Sequence, residues 1–187
     1  MQKILVVLGT TRPTRLGTKV ADWFMESTKQ HPDMEYEFVD LVDFNLPLLN
    51  EPELASSGKY QYDYTKKWSE KVASADGFIF ITPEYNHSYP AALKNAIDYL
   101  YHEWVKKPVA FVGYGGHYGL RSVEHLRAVA IQLQMAPINP QVEVNHFAQM
   151  DESGTFKATE QNEKQAKHLL TDLQWWSEAL SAARAKS

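Results

Sequence analysis

Gly77-Phe78-Ile79-Phe80-Ile81-Thr82 is a continuous apolar run with no polar alternation, and Pro83 and a polar loop follow it directly. A strand that reads apolar on both faces belongs inside a parallel sheet covered on both sides. After the loop, Leu93, Ile97, Leu100 and Trp104 recur at three- and four-residue intervals, which predicts a helix over residues 89–104. The unit is strand, loop, helix. Working outward, it repeats. Residues 3–8 (Lys-Ile-Leu-Val-Val-Leu) form a second such run, ended by Gly9 and followed by helical spacing at Val20, Trp23 and Phe24. Pro108 opens a third, Val109-Ala110-Phe111-Val112, which ends in Gly113, Gly115, Gly116 and Gly119 before a helix reaching Met135.

The remaining elements are weaker in pattern. Residues 34–41 read as a strand through Tyr36, Phe38 and Val39, and a proline-rich excursion over 45–52 leads to a helix over 64–75 with Trp68 and Val72. A short strand is predicted at 141–144, and a final helix over 159–183 carries Leu169, Leu173, Trp176 and Leu180 as its apolar stripe. Trp23, Trp68, Trp104, Trp175 and Trp176 all read as helix-face packing. Regular βα alternation predicts a doubly wound parallel α/β sheet with helices on both faces, as one domain over residues 1–187. In such sheets ligands sit beyond the carboxyl ends of the strands, so the loops after the strands at 3–8, 77–82 and 109–112 should converge on one site.

Composition narrows the chemistry. With no cysteine there is no thiol nucleophile, disulfide framework or thiolate metal site, and none of the seven histidines is spaced as H-E-x-x-H, so no metal site is expected. The balance of 19 basic and 23 acidic residues gives −4, which argues against a nucleic-acid partner. The run at residues 4–8 is too short to span a bilayer or act as an export signal, so the expectation is a cytoplasmic protein with no membrane partner.

The first loop, Gly9-Thr10-Thr11-Arg12-Pro13-Thr14-Arg15-Leu16-Gly17, sets hydroxyls and two guanidinium groups at a helix start, where unpaired amides favour an anion. It reads as a phosphate clamp, although it has neither G-x-x-x-x-G-K-[ST] nor G-x-G-x-x-G. The second loop, Thr82-Pro83-Glu84-Tyr85-Asn86-His87-Ser88-Tyr89-Pro90, offers aromatic planes and polar atoms suited to a flat heterocycle, with Ser88 near the helix N-cap. The third, residues 113–119, has four glycines in seven positions and can bring its backbone close to a ligand. His87 and His117 are the histidines expected in this crevice, while Asp40, Asp43 and Glu51 read as solvated loop charge.

Gly-Thr-Thr-Arg at 9–12, Pro-Glu-Tyr-Asn-His-Ser-Tyr-Pro-Ala-Ala-Leu-Lys-Asn-Ala-Ile-Asp at 83–98, the glycine turn at 113–119 and the acidic, proline-bearing stretch at 40–47 together resemble the NAD(P)H-dependent FMN reductases. That family comprises flavodoxin-like flavoproteins and includes quinone and azo-dye reductases. The resemblance implies a five-stranded sheet of order 2-1-3-4-5. It implies that Thr10, Arg12, Arg15, Leu16 and Gly17 hold the FMN phosphate, that Pro83, Glu84, Tyr85 and Asn86 line the flavin ring, and that Gly113, Gly115, Gly116 and His117 line its pyrimidine side. NADPH or NADH would reduce FMN, and a flavin, quinone or azo compound would then take the electrons at the same place, with backbone amides stabilising the charge and no side chain acting as a catalyst. Tyr118, where the family often has glycine, is expected to narrow the space above the flavin, and Ala91 to tighten the helix start. Tyr99 and Tyr101, off the predicted stripe beside Ala92 and Ala96, suggest a homodimer or homotetramer through that helix. An FMN electron carrier without nicotinamide activity is the rival reading; two arginines in the phosphate loop and a charge of only −4 weigh against it. An NAD-binding Rossmann domain, with Asp40 on the ribose, lacks the glycine fingerprint.

Overall fold

The computed structural model describes residues 1–186. Five parallel strands, β1 (Gln2–Leu8), β2 (Met34–Asp40), β3 (Gly77–Pro83), β4 (Pro108–Tyr114) and β5 (Ala136–Val144), lie in the order β2-β1-β3-β4-β5. The helices are α1 (Gly17–Thr28), α2 (Asp63–Ala73), α3 (Ala91–Asp98), α4 (Leu120–Gln132), α5 (His146–Gln149) and α6 (Glu160–Arg184). This is the flavodoxin-like arrangement. Period-2 alternation sends Leu5, Val7, Phe78, Phe80, Val109 and Phe111 into one core with Trp68, Leu93 and Leu126 from α2, α3 and α4. Their neighbours Ile4, Val6, Leu8, Ile79, Ile81, Ala110 and Val112 face the other core, with Phe24 of α1 and Leu169, Leu170 and Leu173 of α6. Two cores explain why the central strands read as unbroken apolar runs. Among the described residues no helix is long and apolar enough to cross a membrane.

Several boundaries differ from the sequence reading. The helix expected to run to residue 104 ends at Asp98, and Leu100 and Trp104 reach the core from turns. Trp104 packs edge-on to Phe78 at 4.8 Å and donates Nε1–H to the Ile97 carbonyl at 3.2 Å, so its burial keeps helical spacing without a helix. Tyr99 is fully buried inside its own chain, its hydroxyl bonded to the Pro47 carbonyl at 3.1 Å and to Asn50 at 3.0 Å, and it faces no partner. β5 begins at Ala136, earlier than expected, because Pro137 and Pro140 are tolerated in an edge strand whose pairing with β4 is irregular. The short helix α5 carries no pattern long enough to read. On α6 the stripe is Ala166, Leu169, Leu170, Leu173 and Ser177, so Trp176 is more than a third exposed and Trp175 more than half; neither is core packing.

Candidate functional site

The loops after β1, β3 and β4 do meet at the carboxyl edge of the sheet. They enclose a cleft of about 410 Å³ lined by Arg12, Thr14, Arg15, Leu16, Pro83, Glu84, Tyr85, Tyr114, Gly115 and His146. Thr10 lies fully buried beneath it and fixes the aromatic wall, its Oγ1 standing 2.8 Å from the Tyr85 hydroxyl. Gly9 donates its amide to the Ile81 carbonyl at 2.9 Å, and a Cβ there would come 2.8 Å from the Leu93 side chain. That contact brings the first loop close over the start of α3.

The two arginines of the first loop are not equivalent. Arg12 is exposed, its guanidinium 6.0 Å from the Tyr85 ring centre. Arg15 is largely buried and ion-paired through Nη2 to Asp40, which also caps the 3₁₀ turn at Leu41–Phe44 by accepting from the Val42 amide at 3.1 Å. Asp40 is therefore a positioned partner and not solvated loop charge. Glu51 is likewise engaged, accepting from the amides of Gln61 at 2.8 Å and Tyr62 at 3.1 Å. Beyond Arg15, α1 starts with no side-chain cap and no acidic residue in its first turn, so its leading amides are left for an anion. The Tyr114 hydroxyl comes against the Cα of Gly17, where any side chain would strike it, which places that hydroxyl at the mouth of α1.

In the second loop Tyr85 and Ser88 exchange backbone bonds of 2.8 and 3.1 Å around Asn86 (φ 49°) and His87 (φ 76°). Two successive left-handed residues make a type I′ turn, a conformation that Asn tolerates and His adopts only where its surroundings hold it. Asn86 and His87 consequently stand exposed at the tip, away from the cleft lining. Ser88 does not cap α3; Pro90 takes the N-cap position and the Ser88 hydroxyl lies 2.9 Å from His125 Nδ1. Glu84 turns its carboxylate from the cleft to Arg121, at 2.5 Å from the guanidinium and 3.3 Å from the amide, tying the second loop to the start of α4.

The third loop is shaped by two close approaches. A Cβ on Gly113 would lie 2.6 Å from the Tyr118 carbonyl, and one on Gly119, at φ 70°, would lie 2.6 Å from the Tyr114 amide. Gly115 lines the cleft, but its own amide is spent on the Val144 carbonyl at 3.1 Å. Gly116 and His117 are exposed, and among the described residues their amides donate to no backbone carbonyl. Tyr118 borders a separate cavity of about 380 Å³ with Glu143, Asn145 and Gln149, and is not part of the cleft lining.

Of the thirteen expected contacts, Arg12, Arg15, Leu16, Pro83, Glu84, Tyr85 and Gly115 line the cleft, while Thr10, Gly17 and Gly113 support it from behind. Thr14, Tyr114 and His146 line it without having been expected. Arg15 Nε, Tyr114 OH and His146 Nδ1 are buried and lack a hydrogen-bond partner among the described residues. Burial raises the Tyr114 hydroxyl pKa and lowers that of His146, so both are neutral at pH 7. Three buried polar atoms left unpaired around one cleft, with an uncapped helix start beside them, mark a built polar site.

Known proteins resemble this chain in sequence and in fold. The model of the family described as NADPH-dependent FMN reductase matches residues 2–149. An NAD(P)H-dependent FMN reductase of Schizosaccharomyces pombe is 46% identical over 142 residues, covering 74% of this chain and 71% of the relative. An NADPH:quinone oxidoreductase of Arabidopsis thaliana is 32% identical, covering 78% of this chain and 75% of its own. The NAD(P)H:acceptor oxidoreductase FerB of Paracoccus denitrificans shares the fold, with a TM-score of 0.69 at 21% identity over 97% of this chain and 98% of that one.

Proposed function

The chain belongs to the NADPH-dependent FMN reductase family and is an NAD(P)H-dependent oxidoreductase that uses FMN; from that premise we propose how its residues serve the reaction. FMN, when bound, supplies hydride chemistry at N5, accepting from the nicotinamide and delivering to an acceptor in a ping-pong sequence. Arg12, Arg15 Nε, the Tyr114 hydroxyl and the opening amides of α1 would hold the phosphate. Support for that placement rests on one observation: Arg15 and Tyr114, each with a buried polar atom that lacks a partner among the described residues, line the same cleft as Arg12 beside an uncapped helix start. Tyr85, held by Thr10, and Pro83 form the wall for the ring. The amides of Gly116 and His117, not that of Gly115, would be the ones free to offset negative charge at the flavin's pyrimidine edge. No side chain acts as a nucleophile or base.

The acceptors are planar small molecules, quinones or azo compounds, as the Arabidopsis relative's name supports for the first. We place the protein in the cytoplasm, as a single FMN-binding domain over residues 1–187 that works as a homodimer. The test is spectroscopic. Purified protein should be yellow; NADPH or NADH should bleach it anaerobically, and a small quinone should restore the colour with parallel-line kinetics. Reduction by dithionite but by neither nicotinamide at millimolar concentration over minutes would leave an electron carrier in place of a reductase.

A further inference from the structure

The turn after β5 lies outside all three motif-bearing loops, yet it supplies His146 to the cleft. Asn145 caps α5 by accepting from the amides of Phe147 at 3.2 Å and Ala148 at 3.3 Å, and its own amide donates to Gln149 Oε1 at 2.7 Å. The chain that follows is fastened across α1, through the Lys19 ammonium on the Gly154 carbonyl and the Phe156 ring 5.5 Å from Trp23. His146 is thus held in place by its neighbours, while its own Nδ1 is buried and unpaired. A fixed imidazole that lines a cleft and leaves one buried polar atom unpaired among the described residues points to a ligand.

Position decides which part of the ligand. In the order β2-β1-β3-β4-β5 the residue after β5 is three strand spacings from the loop after β1, about 14 Å at the sheet edge. The two arginines stand at the β1 end. Burial lowers the His146 pKa. A neutral imidazole suits uncharged donors and acceptors.

We propose that His146 hydrogen-bonds the ribityl and isoalloxazine part of the bound flavin through Nδ1, closing the β5 side of the cleft. The proposal rests on the FMN reading above. It makes His146 a cofactor contact that discriminates for the flavin itself, as Arg12 does for its phosphate.

The experiment is titration of the full chain with FMN and with riboflavin, read by flavin fluorescence. His146→Leu should weaken both ligands by the same factor, roughly tenfold, the size of one lost hydrogen bond at a desolvated site. His146→Asn, whose amide can replace Nδ1, should stay within about threefold of wild type. Thermal melting of each variant without flavin shows that it is folded, and His146→Ala replaces the leucine variant should that one not fold. Unchanged riboflavin affinity, loss confined to FMN, or an asparagine variant as weak as leucine would overturn the proposal. Wild-type protein that binds neither flavin would instead sink the cofactor reading itself.

Discussion

Arg12 and Arg15 look alike in the sequence, three residues apart before one helix, and the structure gives them different work. Arg12 is exposed and has no carboxylate partner among the described residues, so its contribution arrives with the phosphate. Arg15 is already paired with Asp40, and only Nε is left over. Arg12→Ala should therefore weaken FMN by about 1.5 to 3 kcal/mol, the range for hydrogen bonds to charged groups, leave riboflavin nearly untouched and not alter unfolding of the flavin-free protein. Arg15→Ala should weaken FMN and also lower flavin-free stability by about 1 to 3 kcal/mol in urea unfolding, because Asp40 is left largely buried without its cation. Equal stability of the two variants would mean that the Arg15–Asp40 pair holds nothing in the absence of cofactor. The residue types at 10, 12, 15, 83 and 85 were legible because motif chemistry demands them. Tyr114 and His146 were not: Tyr114 sits among the glycines of the third loop without standing out from them, His146 opens α5 just past β5 outside all three loops, and each becomes visible only as a buried atom lacking a partner among the described residues. Tyr118 was legible as unusual but not in its direction, which its φ of 60° sets.

Among the elements, strands with two apolar faces announced themselves, and so did the order of helices between them. Where packing and periodicity part company the sequence misleads: Leu100 and Trp104 keep helical spacing on turns because the same core is within reach. α6 starts where its Thr159 and Asn162 capping box puts it, a local signal legible without any packing. The junction of α2 with β4 carries a pH prediction. Lys107 is 8% exposed, its ammonium donating to the last carbonyls of α2, Val72 and Ala73, each at 3.1 Å. Burial, reinforced by Arg184, lowers its pKa from 10.5 to about 8. Below pH 8 both folded and unfolded chains hold the proton, and the cost of burying the charge is fully present. Between pH 8 and 10.5 the unfolded chain binds more protons than the folded one, so this group's contribution to stability rises with pH and is complete above 10.5. Wild type should gain on the order of 3 kcal/mol relative to Lys107→Met between pH 7.5 and 10.5, measured by chemical unfolding at each pH. A difference that stays flat would mean that the ammonium is hydrated in the folded state.

At the scale of the whole molecule, the question is which surface meets a second copy. Tyr99, one of the two aromatic residues that with Tyr101 suggested a partner, is satisfied inside its own chain by the excursion around Pro47 and Asn50. On its side towards α4, α3 borders a shallow groove lined by Lys94, Asp98, Ala128, Val129, Gln132 and Leu133. Beside that groove Ile131 is 65% exposed, one helical turn beyond the small Ala128. A β-branched residue left bare next to alanine and flanked by charge is the composition of an interface centre with a polar rim. Two-fold pairing across it would set Lys94 and Asp98 of each chain at the rim, where the lysine and aspartate already pair at 2.6 Å within a chain and add little to affinity. Affinity would then come from the apolar centre, and one charge placed there should abolish it. Sedimentation at micromolar concentration is expected to give a dimer for wild type and a monomer for Ile131→Asp, with unchanged circular dichroism because the side chain touches no core. A wild-type monomer carrying FMN would end the dimer proposal, and a dimeric Ile131→Asp variant would move the interface to another face.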